Sequence, residues 1–480
     1  MIAVLALAGS THRTEARVIS QDEALNMAKN WITQVVHRKG SWGGSPSPSV
    51  GSVQGFKRSG RLVGYYCQVD PHGYVIIPLV EGLAPIKTYS VSDDLDPALE
   101  EGPAGVLKAR MERILDGIER KLGPLDQVRT EDLVRLDRLD HWSRWEKLAV
   151  RHETFLPWDE AGALKGAYQY GDTLVAARWH QGDPYYNDCP EPTNDCENPH
   201  CSVGCVATAG AQIIHYWAWP AYFPLYLTHD WANIPTRALP TSPPEVKSAT
   251  AFLNYQIGNY LGSGYCESEN NDCGTSAATA DMETVYESHG YHPECYVSDR
   301  RLWYSDEEWW DILRFDIVAF RPVQYRIEGH SIVCDGVDYG YMVHMNYGWD
   351  NGWNTWFAID NLHYVVDDPS PADDYVVRLI RPFHYTGPTM PAIVGDDTFF
   401  YFAQDCSNPI PLQFNTGSHL QLRHDVIISC ANYHIKFPST EAKPTYIFTR
   451  GDRTKGIKLR GGTLKLREGG ELTVVANDYH

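Results

Sequence analysis

The residue of this sequence best placed to act as a nucleophile is Cys205. Residues 206–217 (VATAGAQIIHYW) carry a helical apolar pattern, Pro220 closes it, and Gly204-Cys205 stand immediately before its first turn. A thiol there meets unpaired N–H groups and the positive end of the peptide dipoles, so its thiolate is favoured and should titrate at about 3.5–7.5. Ala207, Thr208, Ala209 and Gly210 keep the first turns uncluttered. The competing reading is one more disulfide cysteine, the usual fate of cysteines in exported proteins.

Thiol catalysis needs a base. Of the 19 histidines, His330 is singled out by context, because Gly329-His330 opens a buried-looking strand, 331–338 (SIVCDGVD). The next strand, 341–347 (YMVHMNY), follows a tight turn at Tyr339-Gly340 and leads into Gly348-Trp349. Asn346 offers an amide for the second ring nitrogen, while Tyr347 and Trp349 offer rings that exclude water. Which of Asn346 and Tyr347 shares a face with His330 depends on whether the turn has two or three residues, since a slip of one reverses the facing. An oxyanion also needs donors, and the Gln181 amide with the Cys205 N–H is a sufficient pair. Gln181 lies in the turn-rich stretch Trp179-His180-Gln181-Gly182-Asp183-Pro184-Tyr185-Tyr186-Asn187.

Other elements must hold these groups. Ser20-Gln21-Asp22-Glu23 has the form of a capping box, and Ala24, Met27, Ala28, Trp31, Ile32 and Val35 recur at helical spacing. A Gly/Ser/Pro stretch to Ser52 ends that helix. Residues 61–68 and 74–80, separated by Asp70-Pro71-His72-Gly73, read as a hairpin. A charged amphipathic helix is expected over 97–122, then a connector over 125–168. Helical patterns recur near 247–261, 276–289 and 303–310, and a strand at 354–360 extends an antiparallel meander. Beyond Pro382 no helical period survives, and segments such as 424–429, 457–460, 463–467 and 471–475 read as strands of a separate β appendage.

Taken together, W-x-Q-G-x-P-Y-x-N, G-C-V-A-T-A-x-A-Q-I-I-x-Y-W-x-x-P and G-H-S-I-V-x-D-G followed by H-M-N-Y-G-W resemble the streptopain family of papain-like cysteine peptidases, over roughly 172–385. The resemblance implies an α+β fold in which a helix packs on an antiparallel sheet. It also implies a secreted bacterial endopeptidase made as an inactive precursor, with Cys205 as nucleophile, His330 as base and Gln181 in the oxyanion hole. The domains expected are a signal-like remnant at 1–16, an α+β propeptide at 17–165, a papain-like peptidase domain at 166–385 and an all-β module at 386–480. The propeptide is expected to be an intramolecular inhibitor, and protein or peptide substrates the partners. The family pattern N-W-G-W is here N-Y-G-W, with Tyr347 in place of Trp.

Composition agrees with an exported enzyme. Acidic residues outnumber basic ones 61 to 41, a formal charge of −20, which repels nucleic acid and anionic lipid. The chain has no run of 18 apolar residues, and Met1–Gly9 resembles the tail of a secretory signal. Eleven cysteines, an odd number, leave at least one thiol over. Cys189, Cys196, Cys201, Cys266 and Cys273 are additional to the family pattern. Disulfides within 185–203 and to Cys266 or Cys273 are expected, with connectivity open. The spacing 189/196/201/205 lacks zinc knuckles, so no metal or cofactor is expected. Cys334 reads as a buried free thiol. Acidic clusters around 183–197 and 267–272 read as solvated surface, with a basic substrate or calcium as the alternative. No G-x-S-x-G elbow or nucleotide loop is present. Two other functions share these features: an inactive binding or adhesion protein, working at the cell surface through its β module, and an amidase or transpeptidase of cell-wall peptides.

Overall fold

The computed structural model describes residues 18–129, 132–133, 168–219, 229–267, 273–300, 304, 306–327, 329–350, 354–359 and 374–382, together with short strands between 393 and 465. The expected signal-like start, most of the connector and the boundaries at 165 and 385 lie outside the described residues.

Helix α1 spans Gln21–Lys39, and Ser20 and Glu23 close the capping box reciprocally, satisfying two otherwise orphaned N–H groups. Gly40, in the left-handed region at φ +77°, ends the helix. Its buried residues are Ala24, Met27, Ala28, Trp31, Ile32 and Val35, the six that the spacing predicts. Strands β1 (Ser49–Arg58), β2 (Arg61–Asp70), β3 (Tyr74–Pro78) and β4 (Thr88–Ser90) form an antiparallel meander. Helix α2 (Gly102–Leu122) starts about five residues later than its pattern predicts, with Pro103 in its first turn. β1 is a strand that the sequence reading misses. Its Ser- and Gly-rich residues are mostly exposed or half-buried, so no clean alternation marks it.

The second body of the fold contains α3 (Cys205–Trp217), α4 (Pro244–Tyr260), the short pair β5 (Gly264–Tyr265) and β6 (Thr275–Ser276), α5 (Met282–Ser288), β7 (Tyr296–Arg300), α6 (Asp306–Ile317), β8 (Val323–Ile327), β9 (His330–Asp338), β10 (Met342–Asn346), β11 (Thr355–Ala358) and β12 (Tyr375–Arg378). Both regions share one ten-stranded sheet, ordered β1-β2-β3-β4-β11-β10-β9-β8-β12-β7, with antiparallel neighbours throughout. Helix α3, buried from Val206 to Trp217, packs on β8 and β9. The molecule is thus a mixed fold in which helices pack on an antiparallel sheet.

At the β4–β11 junction Trp356 pairs with Tyr89 and Phe357 with Thr88. Tyr89 stacks on Trp356 at 6.0 Å, and the Thr355 hydroxyl donates to the Tyr89 carbonyl at 2.6 Å. Arg38 pairs with Asp338 at 2.6 Å, the Tyr89 hydroxyl donates to the other Asp338 oxygen at 3.1 Å, and Lys39 pairs with Asp172.

Beyond 390 the described strands are short and parallel. Each pairs with the strand three further along: 393–394 with 412–414, then 434–436 and 463–465; 399–402 with 419–422, then 446–448; 406–407 with 427–429, then 456–458. This is the pairing of a chain winding in three-sided coils. The expected strand at 471–475 lies outside the described residues.

Candidate active site

Cys205 is the first residue of α3, and its N-cap is Gly204 at φ +88°. A side chain at 204 would be strained at that φ and would meet Thr275 at 3.1 Å, so glycine lets the chain turn into the helix here. The Thr208 N–H and hydroxyl both donate to the Gly204 carbonyl, at 3.0 and 2.9 Å. Burial pushes the Cys205 thiol upward. A hydrogen bond from the Ser331 backbone, the positive charge of Arg326 and the N–H groups of Cys205 and Val206 all oppose it. The sequence predicts a depressed thiol, whereas burial raises it in the structure.

His330 opens β9 and is 8 % exposed. Its Nε2 lies 2.9 Å from the Tyr347 carbonyl oxygen. A carbonyl only accepts, so Nε2 carries the proton and Nδ1 is left with its lone pair. Burial first, then the Arg326 charge, lowers the imidazole to about 4, against the raising effect of the Tyr347 bond. Trp349 lies 4.6 Å and Tyr347 5.8 Å from the imidazole, ring centre to ring centre.

The β9–β10 loop has three residues, since Asp338 pairs with Met342, and a bulge follows at His344/Met345. Asn346 then lies opposite Val333. Its Nδ2 donates to the Ala177 carbonyl at 2.7 Å, and its Oδ1 accepts from the Gly348 N–H at 3.0 Å. Asn346 thus shapes the turn under the histidine, and the backbone of Tyr347 orients the ring.

Gln181 is half-buried on the segment beside the stretch that leads into Cys205, where its carbonyl accepts from Val203 N–H at 3.1 Å. Trp179, fully buried, anchors this segment through its indole N–H to the Pro235 carbonyl.

Sequence reading overlooks Gln324. Wholly buried in β8, its amide donates to the Val206 carbonyl at 3.0 Å and the Ser331 hydroxyl at 3.1 Å, and its oxygen accepts from Tyr286. It therefore ties the residue after Cys205 to the residue after His330. An amide between Val323 and Tyr325 in the short alternating segment VQYRI was the available signal. Arg326, two residues on, is the cation that bears on both Cys205 and His330. An imidazole–carboxylate pair, His344 with Asp335 at 2.6 Å, is buried and bound to the Val175 N–H through Asp335, a bracing role.

Two disulfides form, Cys196–Cys273 and Cys201–Cys266. Cys189, Cys205 and Cys334 remain thiols, Cys334 fully buried. Among the described residues no three His, Cys, Asp or Glu side chains gather as a metal site, and no helix is long and apolar enough to cross a membrane.

Cys205 thus stands at the head of a helix and His330 at the head of a strand, and these two elements pack on each other. Residues 179–357 match the Peptidase C10 family. It is 22 % identical over 319 residues to thiol protease/hemagglutinin PrtT of Porphyromonas gingivalis, covering 61 % of this chain and 33 % of PrtT. It is 26 % identical over 220 residues to streptopain of Streptococcus pyogenes, covering 38 % of this chain and 54 % of streptopain. The chain thus spans about a third to a half of these relatives. Among solved structures, a prointerpain A fragment from Prevotella intermedia matches with TM-score 0.49 at 18 % identity, over 68 % of this chain and 98 % of that one. Active interpain A from the same organism gives 0.31 at 22 %, over 44 % and 91 %.

Proposed function

We propose that the protein is a secreted cysteine endopeptidase made as a zymogen. The observation that carries this reading is a thiol at the head of a helix, Cys205, with the strand packed against that helix opened by His330, whose imidazole is held in the Nε2–H form by the Tyr347 carbonyl. In the working state His330 Nδ1 takes the thiol proton and the thiolate attacks a peptide carbonyl. The Gln181 amide and the Cys205 N–H hold the oxyanion. The imidazolium then protonates the leaving amine, and water, deprotonated by the same ring, releases the acyl group.

Residues 17–165 act as the propeptide, 166–385 as the peptidase domain and 386–480 as a β module. Two features support latency. Burial leaves both thiol and imidazole uncharged at neutral pH. From the N-terminal region, Arg110 of α2 lines a pocket with Ile327, Tyr347 and Phe357, next to the histidine.

The test is casein hydrolysis by the processed protein with Cys205→Ala beside the parent. Loss of at least about 10³-fold is expected. Full activity in the variant, or turnover of muropeptides but not of proteins, refutes the reading.

A further inference from the structure

The cysteines additional to the family pattern sit against the nucleophile rather than on a remote surface. Cys201 stands four residues before Cys205, and the backbone between them is held on both sides. Val203 N–H donates to the Gln181 carbonyl at 3.1 Å, Ser202 N–H donates to the Cys273 carbonyl at 2.9 Å, and the Thr275 hydroxyl donates to the Ser202 carbonyl. Thr275 also lies against Gly204, at 3.1 Å from where a Cβ would stand. One side of this stretch is therefore the Gln181 segment and the other is the β5–β6 ribbon.

That ribbon has two residues per strand, too few to hold a position in water unaided. It nevertheless lines an open concavity, where Gly264, Glu267 and Ser276 face Arg326, the cation that bears on both Cys205 and His330. The bond that fixes the ribbon to the stretch entering the nucleophile helix is Cys201–Cys266, with its cysteines 1 % and 8 % exposed. Cys196–Cys273 joins the same two segments further out, and both of its cysteines are half-buried.

We infer that the Cys201–Cys266 disulfide is a positioning element of the substrate cleft. It holds the β5–β6 ribbon as the wall against which an extended peptide lies, in register with Gln181 and Cys205. The inference rests on the peptidase reading and adds to it a redox window. Cys205 must be reduced to attack, while Cys201–Cys266 must stay oxidised for substrate to bind. A dithiol reductant strong enough to open the inner bond becomes a disulfide itself, leaves two thiols on Cys201 and Cys266, and frees the wall. Burial protects the inner bond, so the outer one opens first.

The test compares the processed parent with the double variants Cys201→Ser/Cys266→Ser and Cys196→Ser/Cys273→Ser on a long peptide substrate. Cys205 alkylation by iodoacetamide, which is too small to need the wall, serves as a check on the nucleophile. Loss of the inner bond is expected to raise KM about tenfold or more while kcat stays within about twofold and alkylation is unchanged, the signature of lost uniform binding. Loss of the outer bond is expected to change KM less than about threefold. Should the inner variant fail to accumulate, a dithiothreitol series on the parent, with each bond mapped by alkylation, makes the same comparison. There KM must follow reduction of Cys201–Cys266. A KM indifferent to that bond overturns the inference while leaving the peptidase intact. A parent that cleaves no peptide overturns the peptidase reading, and the inference with it.

Discussion

The seam between β4 and β11 and the seam between α3 and β8–β9 both join distant parts of the chain, and they use opposite chemistry. The first is an edge-strand pairing flanked by charge, with Arg38 on Asp338 and Lys39 on Asp172. The second rests on a buried amide network, with Gln324 spanning Val206, Ser331 and Tyr286 at full burial. Ion pairs and strand edges regain water when they part, so such a seam can open without leaving orphaned groups. A buried amide network cannot, because each partner is left unsatisfied. The contrast suits a molecule whose N-terminal region leaves while its thiol and imidazole keep their register.

The largest expected effect is on the buried amide seam. Gln324→Leu removes a donor from the Val206 carbonyl and the Ser331 hydroxyl and strands the Tyr286 hydroxyl, and should cost about 3 kcal/mol in unfolding free energy. Denaturant titration checks this, and an unchanged midpoint removes the distinction between the seams. In the folded variant kcat should fall more than KM rises, because the amide touches no substrate.

Next comes the thiol. With the N-terminal region in place Cys205 is raised by burial, so iodoacetamide at pH 6 should react slowly. After processing, ion pairing with His330 should speed alkylation about 10²-fold, lower thiolate nucleophilicity offsetting part of the gain. Equal rates before and after would show that the outer seam does not govern the site.

Third is the charged seam itself. Asp338 is buried and receives both Arg38 and the Tyr89 hydroxyl, while Arg38 keeps some contact with water. Asp338→Asn should weaken retention of the N-terminal region by about 2 kcal/mol, roughly 30-fold, short of the full cost for a completely buried pair. Spontaneous processing should accelerate accordingly, as gel time courses would show.

The same contrast explains what the sequence makes legible. Local chemistry is readable: the capping box at Ser20, the hairpin around Asp70-Pro71-His72-Gly73, and the thiol at the head of α3 all depend on residues a few positions apart. The pairing of Thr88–Tyr89 with Trp356–Phe357 joins strands that carry no local sign of each other, and nothing in β1 betrays a strand. His330 and Cys205 stand out as reactive types in telling contexts. The Tyr347 carbonyl that orients the ring is a backbone atom, which no residue type announces. Gln324 was hidden because an amide in a short alternating strand reads as part of the pattern until its partners are known. The two disulfides needed three-dimensional proximity to choose among open pairings.

The smallest effect tests one buried imidazole of the second body that has no charged partner among the described residues. His229 is buried beside Trp231, Phe252 and His289, and neither of its ring nitrogens has a hydrogen-bond partner among the described residues. Burial first, then the neighbouring His289, lowers it to about 3. A histidine depressed on folding binds its proton more readily in the unfolded chain. Stability is therefore full above about pH 6.5 and declines as pH falls from there toward 3. At pH 5.5 that one group should cost about 1.4 kcal/mol relative to neutral pH, a shift of a few degrees in Tm. His229→Phe removes the titration and keeps a ring among rings, so the variant should lose less stability than the parent between pH 7.5 and 5.5. If the two melting curves fall in parallel with pH, the acid sensitivity lies elsewhere, with His330, lowered to about 4 by its own burial, as the next group to examine.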